Sequence, residues 1–117
     1  MAGLAHSTFS GSSVVVTITT HQTAIREFGV KSLLLFGSVA RNEAGPESDV
    51  DLLVEFDPPV GLFEVVRLQS YLESILGRRV DLVLHDAVKP QLRDRIFADA
   101  VVVIGPMPHG QAGTTRL

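Results

Sequence analysis

Residues 37–51 read GSVARNEAGPESDVD, and they join two stretches that have the pattern of β-strands. The preceding run, SLLLF at 32–36, is continuously apolar, which is typical of a strand covered on both faces. The following run, VDLLVEF at 50–56, alternates at most positions, as a strand with one buried face does. The Gly-Ser pair opens a short helical segment to about residue 44, and Gly45-Pro46 ends it. The sequence therefore predicts a strand–helix–strand unit.

The chain beyond residue 56 alternates helical and strand patterns. Residues 62–76 follow a helical period that ends at Gly77, and a second helix is predicted at 89–99, with proline in its first turn. Short apolar runs predict strands at 80–84 and 100–104. The apolar residues that define the first helical pattern are Leu62, Val65, Val66, Leu72, Ile75 and Leu76. This order of elements predicts an α/β (α+β) domain, with helices packed on one small mixed sheet.

Residues 13–28 carry two conflicting patterns. The run VVVTITT at 14–20 is rich in β-branched residues and favours a strand by propensity. Ile25 and Phe28 have helical spacing instead, and Gly29 has the position of a helix C-terminal cap. The local pattern leaves both structures open.

Length and composition predict one globular domain. The chain has 117 residues, of which 45% are hydrophobic and 20% charged, as is ordinary for a packed core. We expect the domain to span residues 13–104, between a flexible leader at 1–12 and a flexible Gly- and Pro-containing tail at 105–117.

Charge and cysteine content exclude several functional classes. The 10 Lys and Arg against 13 Asp and Glu give a net charge of −3, the wrong sign for a protein that tracks long nucleic acid. The absence of cysteine excludes disulfides and Cys-ligated zinc. No apolar run approaches the roughly 20 residues of a membrane helix, and we expect no secretory signal, because residues 1–13 lack a basic segment followed by an apolar core. We therefore expect a soluble, cytoplasmic protein.

Three aspartates are candidate metal ligands. Asp49 and Asp51 leave the same face of one strand about 7 Å apart, and Asp81 begins another strand. If these strands are neighbours, three carboxylates converge. Such an oxygen site suits Mg²⁺, and two ions about 4 Å apart could stabilise a phosphoryl displacement. Taken alone, an Asp-x-Asp pair is more commonly a solvated strand face.

Gly37-Ser38 is a candidate phosphate site. A strand that ends in Gly-Ser and leads into a helix presents free backbone N–H groups to an anion, and glycine allows close approach. Arg41, one turn further on, is a candidate for binding a triphosphate. The alternatives are a simple helix cap for Gly-Ser and a solvated surface arginine for Arg41. Only the full order of these features, with Ser48-Asp49-x-Asp51 and Asp81, supplies what phosphoryl transfer requires.

This combination resembles the nucleotidyltransferase superfamily that includes DNA polymerase beta, and above all its smallest members, the MNT (minimal nucleotidyltransferase) proteins. The likeness covers residues 20–104 and is strongest at 28–56. In that family a helix precedes the Gly-Ser strand, which favours helix for residues 13–28. Many members have glycine where this chain has Asn42, and asparagine also tolerates a left-handed backbone.

The resemblance implies roles for individual residues. Gly37 and Ser38 would hold the β- and γ-phosphates of ATP, with Arg41 and Ser48 as further nucleotide-binding residues. Asp49 and Asp51 would bind Mg²⁺, and Asp81 would help to bind a second Mg²⁺ and polarise the acceptor hydroxyl. MNT proteins commonly act as antitoxins of a HEPN-domain ribonuclease toxin, which they bind and adenylylate on tyrosine. The resemblance therefore implies an AMP-transferring antitoxin with a HEPN partner.

Two other functions stay open from the sequence. A small-molecule nucleotidyltransferase, for instance one that modifies an aminoglycoside, usually has an additional helical domain, for which 117 residues leave little space. A non-catalytic module could instead neutralise its partner by binding alone, using the strand at 101–104 or the helix at 62–76 as an interface. The simpler explanation for both apolar segments is burial in the domain's own core.

Overall fold

Four strands form one mixed sheet at the centre of the computed structural model, which describes residues 11–43 and 48–105. The strands are β1 (Val30–Phe36), β2 (Val50–Phe56), β3 (Val80–Leu84) and β4 (Val101–Ile104). Their order in the sheet is β3-β2-β1-β4, in which β1 is antiparallel to β2 and β4, whereas β2 and β3 are parallel. The predicted small mixed sheet is confirmed.

Helices connect and cover these strands. They are α1 (Gly11–Thr20), α2 (Gln22–Arg26), α3 (Gly37–Ala40), α4 (Leu62–Leu76) and α5 (Pro90–Asp99), with a 3₁₀ turn at His85–Ala87. Among the described residues, no helix is sufficiently long and apolar to cross a membrane. Residues 1–10, 44–47 and 106–117 lie outside the described part, so the domain limits of 13 and 104 stay predictions; α1 itself begins at Gly11.

Residues 13–28 are helical, as the resemblance predicted, despite the β-branched run at 14–20. Val14 and Ile18, four residues apart on one helix face, are both fully buried. The hydrophobic gain of this burial outweighs the small propensity cost of valine and isoleucine in a helix. The segment forms two helices rather than one, and His21, between them, has its Nδ1 2.8 Å from the carbonyl oxygen of Thr17.

Helix α4 was predicted with the correct bounds but with a partly wrong buried face. Its buried residues are Val65, Leu68 and Leu72, whereas Leu62 and Val66 are 76% and 50% exposed. The sequence pattern placed Leu62 and Val66 on the apolar side and did not include Leu68. The observed face follows the packing of α4 against α1 and β3, which the periodicity of α4 alone does not define.

Candidate active site

The sheet register brings three distant parts of the chain together at the end of β1. Phe36, the last residue of β1, lies opposite Asp51 on β2, and Asp51 lies opposite Asp81 on β3. Gly37 follows Phe36 and begins α3. Because residues directly opposite each other in a sheet project to the same face, Asp51 and Asp81 are neighbours, as the sequence predicted for adjacent strands.

Gly37 lies directly against the Asp51 carboxylate. A Cβ atom at position 37 would overlap Oδ2 of Asp51 and would come within 3.0 Å of its Cγ. The backbone of Gly37 also has a φ of +79°, a conformation that residues with a Cβ atom rarely adopt. Glycine is therefore required at this position both for the backbone turn and for the space that the carboxylate occupies.

Asp51 lies between Gly37 and Asp81, and its pKa is affected by the charges around it. Burial raises the pKa of Asp51, and the neighbouring charges of Asp81 and Asp49 raise it further, while Arg41 opposes them. Asp51 is half-buried and is repelled by the carboxylates of Asp81 and Asp49. Full ionisation of the three groups is therefore unfavourable unless a cation compensates their charge. The charges of these carboxylates therefore favour a nearby cation.

In metal-free protein, raising the pH is expected to destabilise the wild type relative to Asp51→Asn. The folded-state pKa of Asp51 lies above its ordinary value of 3.8, so the folded state holds the proton longer than the unfolded state. The stability from this group is complete below the ordinary pKa and is lost as the pH rises through the folded-state pKa. Urea unfolding of both proteins from about pH 4 to 7 measures their free energies of unfolding. The value for Asp51→Asn minus the value for the wild type should rise with pH. If it stayed constant or fell, the electrostatic assignment would be contradicted.

Asp49 and Ser48 lie just before β2 and are tied to the residues that precede β3. Asp49 Oδ1 is 3.9 Å from Arg79 Nε, a contact between exposed groups that adds little stability. Arg78 donates a hydrogen bond of 3.2 Å to the carbonyl of Ser48. Arg78 and Arg79 thus join the starts of the two parallel strands. The Ser48 hydroxyl as a nucleotide ligand stays a prediction.

Arg41 is held by two carboxylates. Its Nε and Nη1 lie 3.0 Å from Glu43 Oε1 and 3.2 Å from Asp99 Oδ2. These hydrogen bonds, that to Glu43 first, raise the pKa of Arg41. The Asp99 contact links the turn after α3 to the last residue of α5. Arg41 is close enough to affect the pKa of Asp51, but its guanidinium is already paired.

The donor chemistry of the three aspartates fits a hard divalent cation. Within residues 11–43 and 48–105, no three His, Asp or Glu side chains stand in an arrangement that would hold a metal ion. The fit rests instead on the pairing of Asp51 with Asp81, the proximity of Asp49, and their unfavourable mutual charge. Carboxylate oxygens of this kind are the ligands that Mg²⁺ uses, with phosphate oxygens completing the shell.

A cleft of about 280 Å³ adjoins Gly37 and lies between α3 and α5. Its lining from α5 is Leu92, Arg95, Ile96 and Asp99, opposite Gly37 and Arg41. Its volume is close to the lower limit for small-molecule sites. The α5 residues were not predicted as site residues, although they lie within the range 20–104 that resembles the family.

Asn42 adopts the left-handed conformation that the sequence comparison suggested for this turn. Its φ is +59°, and its Oδ1 accepts a 3.1 Å hydrogen bond from the backbone N–H of Gly11. Asparagine thus replaces the usual glycine without loss of the turn and also fixes the start of α1.

Asn42→Ala is expected to destabilise the protein by about 1–2 kcal/mol, because alanine pays for the left-handed backbone and loses the bond to Gly11. Asn42→Gly keeps the backbone and should cost about 1 kcal/mol or less. Denaturant unfolding of both variants checks this order. Equal stability of Asn42→Ala and the wild type would contradict it.

Sequence comparison identifies the family. The profile of the nucleotidyltransferase domain matches residues 18–103. The chain belongs to the nucleotidyltransferase domain family. The matched range includes Gly37, Ser38 and all three aspartates, so the resemblance to nucleotidyltransferases is confirmed.

Two curated relatives of this nucleotidyltransferase are described as protein adenylyltransferases. The protein adenylyltransferase MntA of Thermococcus cleftensis is 40% identical over 87 residues, which cover 74% of this chain and 88% of MntA. MJ0435 of Methanocaldococcus jannaschii, assigned as a protein adenylyltransferase, is 46% identical over 76 residues, 65% of this chain and 82% of its own length. The similarity therefore extends over most of each relative.

Solved structures share the fold. A chain assigned as a minimal nucleotidyltransferase superposes with a TM-score of 0.71 at 34% identity, covering 81% of this nucleotidyltransferase and 97% of that chain. A chain from the complex of tri-AMPylated HEPN toxin with MNT antitoxin of Shewanella oneidensis gives a TM-score of 0.60 at 19% identity, covering 79% and 72%. At this identity the second match supports the fold alone. The predicted polymerase-beta-like α/β fold is confirmed.

Proposed function

We propose that this nucleotidyltransferase is a Mg²⁺-dependent protein adenylyltransferase that acts in the cytoplasm as the antitoxin of a HEPN-domain ribonuclease. It would transfer AMP from ATP to a tyrosine hydroxyl of that toxin. One observation carries the proposal: Gly37 lies against Asp51, and Asp51 lies beside Asp81. The similarity to MntA of T. cleftensis supports protein as the acceptor.

In the proposed reaction, the acceptor hydroxyl oxygen attacks the α-phosphorus of ATP. The new bond joins this oxygen to phosphorus, the bond from the α-phosphorus to the α,β-bridging oxygen breaks, and pyrophosphate leaves. Gly37 and Ser38 would orient the β- and γ-phosphates through backbone and hydroxyl donors. Asp81 is exposed, so a hydroxyl on a second protein can reach it, donate a hydrogen bond to it and pass its proton towards it.

Asp49 and Asp51, with Asp81, would hold Mg²⁺. The cation would supply charge neutralisation for the phosphoryl group and the leaving pyrophosphate. The half-buried Asp51 is fixed in place by the sheet, whereas Asp49 is exposed and its Oδ1 lies 3.9 Å from Arg79 Nε. We therefore propose that Asp51 keeps a fixed position in the site and that Asp49 can adjust its position to the bound cation.

A second candidate, neutralisation by binding alone, is favoured by one observation. Leu62, Phe63 and Val66 at the start of α4 are 76%, 88% and 50% exposed. Such apolar residues could contact a partner protein without any chemistry.

Co-expression with the HEPN toxin distinguishes these two functions. We expect the wild type to restore growth and the folded double variant Asp49→Asn/Asp51→Asn to lose this ability while it still binds the toxin. Glu55→Gln, which removes one charge from the same strand, is the matched control and should behave as the wild type. Full neutralisation by the double variant would favour binding alone and would contradict the catalytic proposal.

A further inference from the structure

Two arginines line the cleft beside Gly37, and only one of them is paired with carboxylates among the described residues. Arg41 is paired with Glu43 and Asp99. Arg95, on the α5 wall of the same cleft, is exposed, and its side chain makes no ion pair or hydrogen bond within the part of the chain that the structure describes. Of the two guanidinium groups, the one on α5 is therefore available to an incoming anion.

The charges around the cleft favour a second, unpaired cation there. The carboxylates of Asp51 and Asp81 lie opposite each other on one side of the site, and the two carboxylates that pair with Arg41 offset its charge. A nucleoside triphosphate adds further negative charge at Gly37. A planar guanidinium binds phosphate oxygens through paired N–H donors and retains its charge at every physiological pH. Arg95 is placed to provide this contact.

We propose that Arg95 binds the triphosphate of the nucleotide, while Arg41 positions α5 through Asp99 rather than binding phosphate itself. This inference rests on the proposed function and deepens it, because it assigns the substrate's anionic end to α5. It also moves to Arg95 the triphosphate contact that the sequence had assigned to Arg41. Leu92 and Ile96 form the apolar part of the same wall, so the nucleoside has an apolar surface next to the charged one.

Nucleotide competition measures this role. ATP, ADP and AMP compete with a fluorescent ATP analogue for the full-length protein in Mg²⁺, using the wild type, Arg95→Ala and Arg95→Lys. A charge-assisted contact predicts that Arg95→Ala weakens ATP binding about 10-fold or more, ADP binding less, and AMP binding not at all. Arg95→Lys should recover part of the ATP affinity. Lys89→Ala, which removes one exposed charge before the same helix, is the control and should bind as the wild type.

Each outcome separates the inference from the proposed function. Equal affinity of Arg95→Ala and the wild type for ATP would overturn the role of Arg95 while leaving the enzyme intact. An equal loss for ATP and AMP would also overturn it, because it would indicate a damaged cleft wall rather than a lost phosphate contact. Failure of the wild type to bind ATP, even with Mg²⁺ and the toxin present, would count against the proposed function itself.

Discussion

Asp51→Asn is expected to reduce AMP transfer to the toxin by roughly a thousandfold. Metal-assisted charge stabilisation is worth several kcal/mol, and each 1.4 kcal/mol or so is a factor of ten. Asp51 is central because it lies between Gly37 and Asp81 and is the aspartate whose pKa the surrounding burial and charges raise. Asparagine keeps the size of the side chain but removes its charge.

The rate of pyrophosphate release in the presence of toxin and Mg²⁺ measures this effect. Glu55→Gln is the control for loss of one negative charge on β2, and its rate should stay within about twofold of the wild type. Unfolding curves establish that the Asp51 variant is folded, and the repulsion that it relieves should make it no less stable than the wild type at neutral pH. A rate within a few-fold of the wild type would remove Asp51 from the catalytic site.

Gly37→Ala is expected to abolish most of the activity, with a loss on the order of 10²-fold. The added methyl group would overlap the Asp51 carboxylate, so either this carboxylate or the Gly-Ser turn must move. A displacement of about 1 Å at a reacting centre is sufficient for such a loss. The strained positive φ adds a stability cost of about 1 kcal/mol.

Gly77→Ala separates these two effects. Gly77 also has a positive φ, of +68°, but a Cβ atom there would have nothing within 4 Å. This variant should therefore lose about 1 kcal/mol of stability and keep its transfer rate. If both glycine variants lost activity to the same degree, backbone strain rather than contact with Asp51 would explain the requirement for Gly37.

Local patterns predicted most of the helices and strands, because each of these patterns has a local cause. Gly77 ends α4 at the predicted residue, with φ +68° and a 2.9 Å bond from its N–H to the Glu73 carbonyl. The adjacency of Asp51 and Asp81 was predicted conditionally, and it is observed because β2 and β3 pair in parallel. The buried face of α4 and the break at His21 depend on the packing of other elements, which no local pattern contains.

The candidate site was predictable where its residues lie on regular strands or at a glycine turn. Two features could not be found this way. The hydrogen bond between Arg41 and Asp99 joins residues 58 positions apart in sequence, and α5 lines the same cleft as Gly37 only in the folded chain. Both depend on the position of α5 against α3, which is determined by tertiary packing.

Transfer of label from ATP to the HEPN toxin tests the proposed AMP transfer most directly. Purified toxin is incubated with this protein, Mg²⁺ and ATP labelled on either the α- or the γ-phosphate, with Asp49→Asn/Asp51→Asn in parallel. We expect the α-label to become attached to a toxin tyrosine, the γ-label to stay unattached, and the double variant to transfer neither. Toxin that stays unlabelled with folded wild-type protein, or that acquires the γ-label, would contradict this proposal.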